Sequence, residues 1–405
     1  MKKKRNILII SSLVGIALIV VAIFIFVFHE DIDKSISDTG VRYSDKLRGY
    51  AVDGGYYYLD ANFVKFFDYK SQKTVKVCNK PNCIHNAWTA VTPMEQRCNA
   101  YLYPPGFVSF FVYWQHLYFF VSEPNAKKTI LYQSNLDRSN IKELYTLDAE
   151  FIGNIYQKDN IAIFATNISQ MGKDESGMPK PIGIATSQLH ALNLDTMQIR
   201  DLNPPQNNYT GEITLCGIDK DTFYYNYTYF ENKFDGTNFN EAKLHNTLFS
   251  CDLNTGEIQQ ALKNVWSDDF CKAYIVDSYI YFTKYADFET RSCDLFRCSL
   301  ETEKLEQIAG NLFLTGFYDG KLFYETPYSR RTDGQDNAMS PYRYYDIQTA
   351  QEHECPREYF LYDELNDGFI VEEASDEIYM SDLVLGFIKK TDYYTGSIDK
   401  IVFFD

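Results

Sequence analysis

The sequence predicts an all-β fold, a seven-bladed β-propeller of four-stranded antiparallel blades preceded by one N-terminal transmembrane helix. Three observations predict it. A turn followed by an aromatic strand recurs seven times, a second tight turn recurs in step with it, and one uncharged apolar run of twenty-two residues stands near the start.

The first recurring anchor reads DGGYYYL from Asp53, WQHLYFF from Trp114, KDNIAIF from Lys158, DTFYYNY from Asp221, DSYIYFT from Asp277, DGKLFYE from Asp319 and NDGFIVE from Asn366. Tyr, Phe, Ile and Leu in period-two alternation between Asp, Asn and Gly turns mark short antiparallel strands. The second anchor reads DYKSQKT from Asp68, NLDRSNI from Asn135, NLDTMQI from Asn193, DLNTGEI from Asp252, SLETEKL from Ser299, DIQTAQE from Asp346 and DYYTGSI from Asp392. Each opens with Asp, Asn or Ser and usually carries Thr or Ser three positions on, a side chain that supports a turn by bonding nearby backbone. From Asp252 onward these anchors are 47, 47 and 46 residues apart. A unit such as Ala273 to Ala309 cannot bury both its faces alone, so its copies must stack, and a period of about 40–50 residues is that of a propeller blade.

The apolar run Ile7 to Phe28 spans about 33 Å as a helix, enough to cross a bilayer core of about 30 Å. No small-x-small cleavage site follows it and no Cys precedes Cys78, so an uncleaved anchor is expected rather than a removed leader or a lipid attachment. Lys2, Lys3, Lys4 and Arg5 precede the run, whereas His29, Glu30, Asp31 and Asp33 follow it. Positive charge stays on the cytoplasmic side, which predicts a cell-membrane, single-pass protein with its C-terminal domain extracytoplasmic. The expected organisation is a cytoplasmic tail over residues 1–6, the transmembrane helix over 7–28, a stalk over 29–48 and the propeller over 49–405.

The chain has 39 Lys and Arg against 55 Asp and Glu, and its first twenty-eight residues hold four basic and no acidic side chains. The exported part is left with 35 basic and 55 acidic residues, a net charge of −20. That balance excludes nucleic acid as an expected partner, because phosphate binding needs clustered Lys and Arg.

One stretch obeys no strand pattern: the insertion over 78–106, which starts CNKPNCIHNAW at Cys78. Cys78, Cys83, His85 and Cys98 within it are a candidate metal set, since thiolate and imidazole are the preferred ligands of Zn²⁺. The spacing is looser than a C-x2-C knuckle, and haem attachment would need His directly after the second Cys. A disulfide from Cys78 or Cys83 to Cys98, leaving one thiol over, is the preferred reading, because an exported loop without a core gains stability when cross-linked. Cys251 and Cys298 occupy matching places in adjacent repeats, and with Cys216 and Cys271 they read as small packing residues. Trp88 and Trp114 stand out by lying in or beside the cysteine segment. Three further insertions, Met171–Ser187, Glu231–His245 and Pro327–Ser340, fall between the second and third strands of their repeats and are expected to gather on one face, the place where a rigid scaffold presents binding loops.

No catalytic residues can be named. There is no G-x-S-x-G elbow, no H-E-x-x-H and no sialidase-type S-x-D-x-G-x-T-W box. Asp268/Asp269, Glu372/Glu373 and Asp376/Glu377 are carboxylate pairs of the kind an acidic chain supplies by chance. His190, His245 and His353 are isolated, and most of them are expected at the surface.

The turn-plus-strand units, together with CNKPNCIH at Cys78 and CNAY at Cys98, resemble the uncharacterised membrane-anchored propellers of Gram-positive bacteria described as low-density-lipoprotein-receptor-like or TolB-like. The resemblance covers Tyr50 to Asp405 and implies no established activity. DLNTGEI at Asp252 is also similar to quinoprotein repeats, but their docking Trp is missing, and the YWTD motif of receptor propellers does not recur. The expected function is therefore a binding or scaffold module for an envelope protein, peptide or glycan. The alternatives are an envelope hydrolase or lyase using carboxylates at the propeller funnel, and a metal- or redox-responsive sensor built on the cysteine segment.

Overall fold

The aromatic anchors form the second strands of successive antiparallel meanders, each made from contiguous sequence. The computed structural model describes residues 42–44, 49–103, 108–123, 126–173, 179–202, 211–230, 243–287, 292–325, 342–356, 359–373 and 384–404. The expected span Ile7–Phe28 and the insertion Pro327–Ser340 lie outside the described residues, as does most of Glu231–His245. Among the described residues no helix is long and apolar enough to cross a membrane.

The strands fall into six sheets. The first is Gly49–Val52, Gly55–Asp60, Phe63–Asp68 and Lys73–Lys76; the second is Val108–Tyr113, His116–Glu123, Lys128–Asn135 and Lys142–Asp148. The third joins Phe151–Lys158, Ile161–Lys173, Pro179–Asn193 and Gln198–Asp201, and the fourth joins Gly211–Asp219, Thr222–Phe230, Leu244–Asp252 and Ile258–Gln260. The fifth has seven strands, from Phe270–Val276 to Gln351–Glu354. Its fourth strand, Leu305–Tyr318, is shared: its first half pairs back with Ser292–Ser299 and its second half pairs forward with Lys321–Glu325. The sixth sheet is Tyr359–Glu364, Gly368–Glu373, Leu385–Lys389 and Val402–Phe403.

Burial grades across each meander. In the second strands consecutive side chains are buried, as in Tyr56–Tyr58, Leu117–Val121, Ile280–Phe282, Leu322–Tyr324 and Phe369–Val371. Both faces of a strand are buried only when another layer covers each of them. The last strands are mostly exposed, Gln351–Glu354 entirely so, and form a rim. The covering layers are neighbouring sheets. One core joins the first three sheets, a second the third and fourth, a third the fourth and fifth. Two more run through the fifth sheet and on to the sixth. The sixth packs on the first, with Ile370, Leu385 and Phe387 against Tyr56, Tyr58 and Phe67. The stack therefore closes on itself in a propeller-like, all-β ring, which removes the exposed sheet faces of an open stack.

First strands line the inside of this ring. Gly49–Val52 touches Val108–Tyr113 on one side and Tyr359–Glu364 on the other, and Gly211–Asp219 touches Phe270–Val276. Tyr50 Oη donates to Gln157 Oε1 at 2.5 Å, linking the first strands of the first and third sheets. β-Bulges interrupt several of these strands near Gly153, Cys216, Cys271, Thr315 and Tyr362. A bulge adds one unpaired residue and sharpens the local bend, which lets a sheet edge approach its neighbours. At Gly217, φ is 143° and a Cβ would come within 2.8 Å of Ile275 Cβ, so the approach of the fourth sheet to the fifth requires glycine there.

Several expectations change. Within the stretch expected to be a stalk, Arg42–Ser44 is a strand that pairs antiparallel with Phe151–Lys158, extending the third sheet. Met171–Ser187 is no loose loop: the hairpin Ile161–Lys173 and Pro179–Asn193 stays paired out to Lys173 and Pro179. As the strand pattern at the end of the sequence suggests, the last strand completes its own sheet through Gly386 and Phe403. The final second anchor is wound into a short helix, α1, Lys390–Tyr394, in place of a simple turn.

Candidate metal centre

The insertion leaves the first sheet at Val77 and returns along it. Val64 N–H donates to Ala100 C=O at 2.8 Å, Leu102 N–H to Asn62 C=O at 2.9 Å, and Phe63 bridges Tyr101. These bonds fix Cys98 at the sheet, where it is 1 % exposed. The other half of the site comes from the turn after Cys78, where Pro81 and Asn82 reverse the chain. Asn82 has φ 57° and His85 φ 52°. Asn and His are among the non-glycine residues that adopt the left-handed region most readily, so both positions suit the reversal of the chain.

The ligand atoms of Cys78, Cys83, His85 and Cys98 lie within 4.8 Å of one another, and His85 Nδ1 is 3.4 Å from Cys98 Sγ. In a tetrahedral Zn²⁺ site, bond lengths of about 2.3 Å to sulfur and 2.0 Å to nitrogen place sulfurs about 3.8 Å apart and sulfur and nitrogen about 3.6 Å apart. The nitrogen-to-sulfur edge already has that length. The widest separation needs roughly an ångström of closure, within the range of small side-chain rotations. The residues present therefore fit zinc, and with four protein donors they form the closed set of a structural rather than a catalytic ion.

Cys78, Cys83 and Cys98 carry separate thiols in this structure. Burial disfavours the Cys78 thiolate, but N–H groups of Lys80 and Asn99 and the thiols of Cys83 and Cys98 hydrogen-bond to its sulfur and bring the pKa below its ordinary value. Burial pushes the Cys98 thiol up to about 12, with the Ala100 N–H opposing and Cys83 and Cys78 adding to the rise. Three thiols packed this closely cannot all ionise without a cation between them. An N–H two residues after each of Cys78 and Cys98 thus points at its sulfur, the support a metal-bound thiolate uses.

Further residues hold this shell. Trp88 Nε1–H donates to Cys98 C=O at 3.0 Å, and the Arg97 guanidinium lies 4.7 Å from the Trp88 ring. Lys80 Nζ donates to the carbonyls of Met94 and Arg97 at 3.1 and 2.6 Å. Trp114 is not part of the site; it sits in the turn of the second sheet's first hairpin, 53 % exposed.

Sequence reasoning missed Arg138. It occupies the turn between the third and fourth strands of the second sheet, is 2 % exposed, and donates from Nε to Asn99 C=O at 3.2 Å. Its guanidinium stacks 3.9 Å from the Phe119 ring centre, and Nη1 finds no hydrogen-bond partner among the described residues. Burial works against its charge, pushing its pKa down to about 9, and the Cys98 thiolate acts in the opposite direction. A signal was present in the repeats. Ser71, Thr196, Thr255, Thr302, Thr349 and Thr395 fill the fourth position of the other second anchors, and Arg138 alone departs from that rule.

His190 corrects another expectation, since it is 6 % exposed rather than on the surface. Its Nε2 lies 3.0 Å from Thr166 Oγ1 and its Nδ1 2.8 Å from Asp201 Oδ1. Hydroxyl, imidazole and carboxylate in this order match a nucleophilic triad, but Thr166 is 3 % exposed and a substrate carbonyl has no approach to it. Burial lowers the His190 pKa, with Asp201 opposing. As pH falls, the unfolded chain therefore takes up this proton first. The contribution is full above the unfolded value of about pH 6.5 and is lost as pH falls from there through the lower folded value. Thermal unfolding midpoints measured from pH 7.5 to 5.5 are expected to decline, and to decline less in His190→Gln. His245 pairs with Asp268 at 3.3 Å, while His353 stacks on Tyr344 at 4.9 Å.

Fold and site together define an all-β, propeller-like ring with a three-cysteine, one-histidine cluster at the junction of its first two sheets. No family model matches the chain, and no curated protein matches it in sequence. Among solved structures it is similar to an oligogalacturonate lyase in complex with manganese, at 12% identity and TM-score 0.45 over 69% of this chain and 72% of that one. It is also similar to an uncharacterized protein from Listeria monocytogenes EGD-e, at 9% identity and TM-score 0.43 over 69% and 78%. Porphyromonas gingivalis dipeptidyl peptidase 4 aligns at 8% identity and TM-score 0.44 over 88% of this chain and 54% of the peptidase. Likeness at these scores carries no argument about activity.

Proposed function

We propose that this protein is a membrane-anchored, extracytoplasmic seven-bladed propeller that acts as a binding module for an envelope protein, with Zn²⁺ held by Cys78, Cys83, His85 and Cys98 as the clamp that shapes its binding segment. Seven blades follow if the two halves of Leu305–Tyr318 are counted as strands of separate meanders. The grouping with Gram-positive membrane-anchored propellers rests on the cysteine segment, and the outward orientation rests on the charge difference across Ile7–Phe28.

The observation that carries the reading is what the clamp presents. Ile84, Val91 and Met94 are 79 %, 91 % and 77 % exposed, on a non-repetitive segment whose carbonyls and sulfurs are tied down behind them. Large apolar side chains held in water by an ordered scaffold are a feature of protein-contact surfaces. Zinc in this role supplies structure alone. The protein supplies the ligands, the N–H bonds to Cys78 and Cys98, and the Trp88 and Lys80 contacts that orient them.

A photo-crosslinking residue placed at Val91 in the full chain, in intact membranes, tests this. It is expected to yield a discrete protein adduct that is absent when the same residue stands at Leu305 and is lost on zinc chelation. Identical adducts at both positions, or adducts indifferent to chelation, would discard the binding role of the segment.

A further inference from the structure

Zinc bound by three thiolates and a neutral imidazole carries one negative charge in excess. Each thiol that joins the ion gives its proton to solvent and the ion gives up its waters, so loading forms three Zn–S bonds and one Zn–N bond, releases three protons and leaves that charge in place. A charge of this kind buried against a sheet is costly unless a cation stands beside it.

We propose that Arg138 is that cation: a positioning residue, supplied by the second sheet, which neutralises the loaded centre and so joins the insertion electrically to the next blade. The proposal rests on the zinc reading above. Among the described residues no carboxylate pairs with Arg138, although its side chain is almost wholly buried. Arginine buried without an acid is rare, because removing a guanidinium from water is compensated only by an anion or a full set of acceptors. Its Nε bonds the carbonyl of Asn99, the residue next to Cys98. The same Asn99 turns its N–H to the Cys78 sulfur. One peptide unit on each side of Asn99 thus connects the guanidinium to two of the three thiols. Phe119 beneath the guanidinium supplies its π face but no charge.

The turn is adapted to deliver this side chain. Arg138 has φ 62°, a conformation unfavourable for a long side chain. In the turns at Asp252 and Asp346, the N–H of Thr255 or Thr349 donates to the opening Asp at 2.8 and 3.0 Å. Here the job passes to Ser139, whose Oγ accepts from Asn135 Nδ2 at 2.8 Å. The turn is closed by the next residue, which frees position 138 to reach inward.

The test measures zinc affinity of the purified full-length chain by competition with a chromophoric chelator, for the wild type, Arg138→Lys, Arg138→Gln and Arg138→Met. Arg138→Gln keeps a donor for Asn99 C=O without the charge, and Arg138→Met keeps apolar volume if Gln does not fold. Both neutral variants are expected to bind zinc about 10–100-fold more weakly, the usual loss for an outer-shell partner. Arg138→Lys is expected to recover at least about tenfold of that loss. Melting of the metal-free chains separates charge from packing. Removing an uncompensated buried cation should leave the metal-free midpoint unchanged or raised, while the zinc-loaded midpoint falls. Equal zinc affinity across all four chains, or neutral variants that lose as much stability without metal as with it, would overturn the proposal and leave the zinc site standing. A wild-type chain that takes up no stoichiometric zinc would remove the zinc reading itself.

Discussion

Cys98→Ser is expected to reduce bound zinc from one ion per chain to a trace and to release the segment between Val77 and Leu102 from the first sheet. Cys98 is the buried member of the set, and its sulfur is one of the four proposed ligands. Loss of a direct ligand costs more than the roughly 100-fold attached to an outer-shell partner. Structural zinc contributes on the order of 10 kcal/mol of binding free energy in small domains. In a ring with several cores, most of that falls locally. Limited proteolysis should therefore cut Cys98→Ser and chelated wild type within residues 78–103 while the sheets stay protected. Stability of the wild type should rise with added zinc, by about 4 kcal/mol at a thousand times the dissociation constant, and that of the variant should not. A variant that retains one tightly held zinc would show that the cluster is not the binding site.

Phe67→Ala should destabilise the ring by about 3–5 kcal/mol, the usual penalty for deleting a buried aromatic side chain. Phe67 is 1 % exposed at the seam where the last sheet meets the first. Its ring stacks 4.3 Å from Phe404 and lies 5.8 Å from Phe387. Among the described residues closure here is made by side chains, because the final strand pairs within its own sheet. A cycle with Phe404→Ala should reveal a coupling of about 0.5–1.5 kcal/mol, the extra worth of an aromatic pair. Chemical denaturation reads both quantities. A loss under about 1 kcal/mol would mean that the seam is not closed in solution.

The strand framework was legible because each repeat states it twice, once in aromatic residues and once in a turn. Tyr56–Tyr58 reveals more than its alternation suggested, since three consecutive buried tyrosines require layers on both faces. What stayed hidden involves features with no period. Arg42–Ser44 is three residues long and carries no alternation, so only its pairing with Phe151–Lys158 makes it a strand. The bulges at Cys216 and Cys271 leave no mark that distinguishes them from packing cysteines. Cys78, Cys83, His85 and Cys98 were visible as a group, but spacing admits both a disulfide and a metal. The N–H groups directed at sulfur, which support the metal reading, are not encoded by spacing. Arg138 lies in the next repeat, and its meaning appears only when Asn99 brings the two segments together.

Arg42–Ser44 fastens to the third sheet although the first sheet begins only at Gly49. Any tension applied to the chain ahead of Arg42 would therefore reach that three-residue strand first, and the strand would have to part from Phe151–Lys158 before the load reached Gly49.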